Sequence, residues 1–180
     1  MENNIGNTLI AGGLLGLISI PFLVINHLSK KKIRSIVTTR LTDLAHKAKS
    51  QISHYEQLGA KAIGLDKNTR TVLFVDTNET NELIIDLAKI KACKLLKKMN
   101  AGEVGSIELQ LRDENDTLLY VVPFYRRFID DESYLSVVFK MAEKWRHLIY
   151  NLINNQRKIN HIKTTAVVTS PNYRSGIFYK

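Results

Sequence analysis

The chain has 180 residues, 44% of them hydrophobic, one cysteine and a formal charge of +9. That length leaves room for one apolar terminal segment plus one domain of ordinary size. The lone Cys93 excludes an intramolecular disulfide framework and a multi-cysteine zinc site, and reads as a core thiol. The positive charge suggests nucleic acid until it is divided along the chain. Residues 27–58 hold seven basic against two acidic residues, residues 59–132 eleven against thirteen, and residues 133–180 eight against one. The excess sits on two flanks and not on the centre, which argues against a nucleic-acid footprint.

In chain order, the first element is apolar. No Asp, Glu, Lys or Arg occurs from Asn3 to Ser29, and the run Thr8–Ile25 would span roughly 27 Å as a helix, close to the thickness of bilayer hydrocarbon. A secretory signal peptide would carry a basic n-region and a small-residue cleavage site, whereas here MENNIGN precedes the run and Ile25-Asn26-His27-Leu28 closes it. Residues 1–29 are therefore expected to be a retained transmembrane helix, with Gly12 and Gly16 spaced for close helix pairing and Pro21 bending it. Lys30, Lys31, Lys32 and Arg34 follow at once and are the predicted membrane-surface contacts, making the lipid bilayer a partner. The positive-inside rule then places the C-terminal domain in the cytoplasm of a single-pass cell-membrane protein.

Residues 30–59 read as a basic juxtamembrane helix. Ile33, Val37, Leu41, Leu44, Ala48, Ile52, Tyr55 and Leu58 recur every three or four residues, and Gly59 supplies a stop. The stripe suits either a stalk pairing with a second copy or an amphipathic helix on anionic headgroups. A homo-oligomer would form through this helix or the transmembrane one.

From residue 60 the period shortens to that of strands. Ala62–Leu65, Thr71–Val75, Glu82–Leu87 and Lys89–Ala92 are separated by polar turns, with a bulge expected at Cys93-Lys94. Ile107–Arg112 alternates cleanly, and Leu118–Val122 follows until Pro123 ends it. Asp130-Asp131-Glu132-Ser133 then starts a helix whose stripe runs Tyr134, Val138, Met141, Ala142, Trp145, Leu148, Ile149, Leu152. The expected fold is α+β, an antiparallel six- to seven-stranded sheet or barrel over residues 60–155 closed by that C-terminal amphipathic helix. Residues 156–180 form a basic tail in which Thr164–Thr169 is strand-like.

This order of strands and one tryptophan-bearing helix, with the runs Ile63-Gly64-Leu65-Asp66, Leu73-Phe74-Val75, Ile85-Asp86-Leu87 and Lys91-Ala92-Cys93, resembles uncharacterised bacterial members of the pleckstrin-homology-like superfold. Lipid-reading members carry several basic residues around the first hairpin. Here Lys61, Lys67 and Arg70 are the counterparts, without the R-x-R element, so the resemblance implies a scaffold or protein-binding role.

No phosphate loop, H-E-x-x-H, G-x-S-x-G or nucleotide fingerprint occurs, so no catalytic, cofactor or metal residue is assigned and an enzyme is not expected. Phe124-Tyr125-Arg126-Arg127-Phe128 interleaves aromatics with arginines; core and rim packing is the preferred reading, with Arg126 and Arg127 as partner or lipid contacts. The expected function is a membrane-anchored scaffold module presenting its domain to a protein partner. The alternative is a membrane-tethered nucleic-acid binder using the basic flanks.

Overall fold

The computed structural model describes residues 31–168, with side-chain environments as far as residue 155. The chain divides between Ile85 and Asp86 into two compact units.

In the first unit, helix α1 occupies residues 31–47 and stops well before Gly59. Lys49 turns into the left-handed region at φ 52, its N–H donates to the His46 carbonyl at 3.1 Å, and the Ser50 N–H donates to the Ala45 carbonyl at 2.9 Å. This Schellman arrangement satisfies the last carbonyls of the helix. The chain then enters strand β1 (His54–Leu58), where the sequence suggested continued helix. Gly59, read there as a helix stop, is instead a hairpin residue at φ 55, and β1 pairs antiparallel with β2 (Lys61–Asp66). The β2-facing backbone groups of this segment are satisfied by the ladder, and the three-and-four spacing of Ile52, Tyr55 and Leu58 did not decide its conformation.

Strand β3 (Thr71–Asp76) pairs antiparallel with β2, and β4 (Asn81–Asp86) completes a sheet of order β1-β2-β3-β4. Asp66 organises the β2–β3 turn, accepting from the N–H groups of Gln51 at 2.7 Å, Asn68 at 2.8 Å and Thr69 at 3.2 Å. Burial pushes its carboxyl up, but those bonds together outweigh it and hold the group below its ordinary value. The register opposes Ala62 to Val75 and Gly64 to Leu73, so these four share one sheet face. Onto that face α1 packs Val37, Leu41, Leu44 and Ala45. The Val37, Leu41 and Leu44 part of the stripe offered to a second helix or to headgroups is thus buried within its own unit, whereas Ile33 and Tyr55 stay exposed.

The second unit opens with a 3-10 turn, Leu87–Lys89, capped by the Asp86 carboxylate, which accepts from the Ala88 N–H at 2.9 Å. Strands β5 (Ala92–Asn100), β6 (Glu103–Arg112) and β7 (Leu118–Arg126) follow as an antiparallel meander of order β5-β6-β7. Ala101 at φ 50 and Gly102 at φ 83 make the two-residue β5–β6 turn that matches strand twist. Ile107, Leu109 and Leu111 alternate onto one buried face. The bulge expected at Cys93-Lys94 sits at Lys98-Met99. Nor does Pro123 end β7: the strand runs on to Arg126, because β7 is an edge strand and its register shifts beside Pro123.

Helix α2 (Leu135–Val168) closes this sheet with Val138, Ala142, Trp145, Ile149 and Ile153, all buried. Its first residues follow a 3-10 turn, Glu132–Tyr134, capped by Asp131. With no Gly or Pro from Leu135 to Val168, the backbone stays helical through Thr164–Val168, against the strand-like composition of that run.

Two expectations require correction. The single six- to seven-stranded sheet or barrel is replaced by two antiparallel sheets, of four and three strands, with no closed barrel among the described residues. Also among the described residues, no helix is long and apolar enough to cross a membrane, since α1 and α2 each carry charged residues around a single apolar stripe. Residues 1–29, on which the transmembrane expectation rested, lie outside the described residues. The structure gives no support to a single-pass cell-membrane protein with a cytoplasmic domain, and that expectation is dropped.

Candidate functional site

The basic residues singled out from sequence are divided between the two units. Lys30 lies outside the described residues, and Lys31, Lys32 and Arg34 are exposed on the first turns of α1. Lys61 is buried, its ammonium 3.6 Å from the Asp76 carboxylate directly across the β2–β3 ladder, so it offers nothing to a surface. Lys67 is exposed in the β2–β3 turn, and Arg70 is half-buried there at φ 56. Arg126 and Arg127 belong to the other unit. Arg127 forms ion pairs with Glu103 and, at 3.5 Å, with Glu132.

What the structure does assemble is one end of the three-stranded sheet. Lys98, Ser106 and Arg126 are in register across β5, β6 and β7. One residue further on, the Arg127 N–H donates to the Gly105 carbonyl at 2.9 Å. Inside this end Glu108 accepts from the Ser106 hydroxyl at 2.8 Å and from the Lys98 ammonium at 2.9 and 3.1 Å. Burial raises the Glu108 carboxyl, but the bonds from Lys98 and Ser106 and the charges of Lys98 and Arg126 more than offset it and hold the group below its usual range.

Beyond β7 the chain makes a tight loop. The Arg126 N–H donates to the Asp130 carboxylate at 2.7 Å, while the N–H groups of Ile129 and Asp130 return to the Arg126 carbonyl at 3.3 and 3.0 Å. At its apex Phe128 stands 86% exposed at φ 69, with the Arg127 guanidinium over its ring at 4.8 Å. Across the same end, Met99 is 57% exposed and Leu96 and Ile129 are also open. The exposed charges nearby are engaged within the chain: Lys98 by Glu108, Lys97 over the Phe139 ring of α2 at 5.7 Å, Glu132 by Arg127, and Asp131 by the Ser133 N–H, which donates to it at 2.9 Å.

Sequence reasoning took Phe124-Tyr125-Arg126-Arg127-Phe128 as core and rim. Phe124 and Tyr125 are indeed buried, whereas Phe128 is not. Strand parity gave no signal, because Phe124 and Phe128 share it; Phe128 differs in lying past the last ladder pair, Ser106 with Arg126. The remaining reactive groups suggest no chemistry. Burial pushes the Cys93 thiol up to about 12, with Arg146 pulling weakly the other way, and a neutral buried thiol is a poor nucleophile. No cluster of three metal-ligating side chains occurs among the described residues. Compared with known proteins, the chain matches no family model, no curated protein and no solved structure.

Proposed function

We propose that the chain is a non-enzymatic protein-binding module whose working surface is the end of the three-stranded sheet built from Leu96–Met99 and the Phe128 loop. One observation carries the reading: a phenylalanine 86% exposed in a left-handed backbone conformation. Each half of that observation is unfavourable for the isolated chain. An exposed phenyl ring forgoes on the order of 2 kcal/mol of burial, and a bulky residue at positive φ adds about 1 kcal/mol of strain. Asn or Gly would sit there without either cost. The loop hydrogen bonds and the ion pairs of Arg127 fix the backbone that carries the ring before any contact, which lowers the ordering entropy of binding. Rigid, protruding aromatics beside arginine are what interface anchors are made of.

This reading keeps the binding role implied by the resemblance to pleckstrin-homology-like proteins and takes its surface from geometry. A nucleic-acid surface draws less support, because Phe124 and Tyr125 are buried and Arg127 faces two carboxylates. The test is a photocrosslinking residue in place of Phe128 in the full-length chain in its native host, with the same residue in place of exposed Thr39 on α1 as control. Position 128 should give discrete protein adducts and position 39 none. Equal labelling at both positions would refute the assignment.

A further inference from the structure

We infer that the first turns of α1 form a second binding surface, separate from the sheet end, whose ligand is an anionic lipid surface. Residues 31–36 are helical and all six are exposed; the first buried position of α1 is Val37. At 1.5 Å per residue the helix stands clear of its sheet for about 9 Å. That length carries Lys31, Lys32 and Arg34 together with Ile33 and Ile36, each isoleucine 42% exposed. None of the three cations has an ion-pair partner among the described residues. Nor does the neighbouring sequence supply one, since no Asp or Glu occurs from Asn3 to Thr42. Lys47, Lys94 and Lys98, by contrast, are held by Glu82, Asp116 and Glu108. Lys67 is also exposed, but its exposed neighbours Asn68 and Thr69 are polar.

The two kinds of residue are sorted around the helix. Ile33 and Ile36, three apart, lie about 60° from each other on one side, and the three cations take the rest of the circumference. This is how a helix lies on lipid: the aliphatic side enters the headgroup boundary and the cations stay among the phosphates, with no span required. An acidic protein fits less well, because the protruding helix offers no pocket and no aromatic anchor of the kind protein interfaces use. Nucleic acid would satisfy the cations and leave both isoleucines in water.

The experiment uses the full-length chain with an environment-sensitive fluorophore attached through Ile36→Cys; the other thiol, Cys93, is buried and stays unlabelled. Two vesicle types are compared, pure phosphatidylcholine and the same lipid with about one-third phosphatidylserine. The label should shift to the blue on the anionic vesicles at low salt, return as salt rises, and stay unshifted on the neutral ones. Lys31→Gln, Lys32→Gln and Arg34→Gln together should raise the lipid needed for half the shift by roughly a hundredfold, at roughly fivefold per cation. Lys67→Gln with Lys89→Gln, which removes two exposed cations elsewhere, should change nothing. An equal shift on neutral vesicles, an equal loss in the Lys67 and Lys89 control, or no shift at all overturns the inference. So does a polyglutamate peptide or single-stranded DNA that moves the label as far as the anionic vesicles do, since the ligand would then be an acidic macromolecule. Phe128→Ala should leave the lipid response unchanged, so this surface and the protein-binding one stand or fall separately.

Discussion

Replacing Trp145 by alanine removes the largest fully buried side chain of the described residues, 0% exposed at the centre of the α2 stripe. A buried aromatic removes about 150–250 Å² from water. At about 25 cal/mol per Å² that is roughly 4–6 kcal/mol, an upper bound because the unfolded chain is itself partly compact. Measured aromatic-to-alanine changes in cores cost about 3–5 kcal/mol, so about 4 kcal/mol is the working figure. With a urea slope of about 2 kcal/mol per molar, the unfolding midpoint should fall by about 2 M. The assay is circular dichroism in urea, because Trp145 is the chain's one tryptophan and its loss removes the fluorescence signal. In the wild type that fluorescence should report the second unit, red-shifting as α2 leaves the sheet. Trp145→Phe should cost less than Trp145→Ala, since it retains a ring. An unchanged midpoint for Trp145→Ala would show that α2 does not close the three-stranded sheet.

Gly59→Ala should destabilise the first unit by about 1 kcal/mol through backbone strain alone, because a Cβ there would meet nothing within 4 Å while φ is 55; an unchanged thermal melt would contradict that hairpin. Lys49→Gly should stabilise α1's end by up to about 1 kcal/mol by relieving the left-handed conformation, readable in the same melt. Cys93 should resist a thiol reagent at pH 8 in the native chain and react with one equivalent in denaturant. Asp66 and Glu108 both have folded values below their ordinary 3.8 and 4.5, so their contribution is complete above those values and is lost as pH falls through the lower folded ones. Acid titration should therefore destabilise the wild type more steeply than Asp66→Asn or Glu108→Gln, and parallel curves would remove these two carboxylates from the account.

The sequence by itself determined what depends only on neighbouring residues. The two-residue alternation of Ile107, Leu109 and Leu111 needed no partner to be read as a strand with one buried face. The spacing of Val138, Ala142, Trp145 and Ile149 likewise marked a helix stripe, and the concentration of charge on the flanks was plain arithmetic. Tertiary structure decided whatever depends on where another segment lies. His54–Leu58 fitted a helical spacing, with Tyr55 and Leu58 three apart, and the availability of Lys61–Leu65 as a ladder partner made it a strand instead. The α1 stripe was legible, but its occupant was not: Ala62, Leu73 and Val75 were also candidates for strands buried on either face. Lys61 looked like a surface cation until the register set Asp76 opposite it. The candidate site was the least legible part. Phe128 differs from buried Phe124 only in lying beyond the last β6–β7 pair, and no local pattern records where a strand stops being covered. Periodicity is a property of the segment, whereas burial and pairing are properties of the space around it.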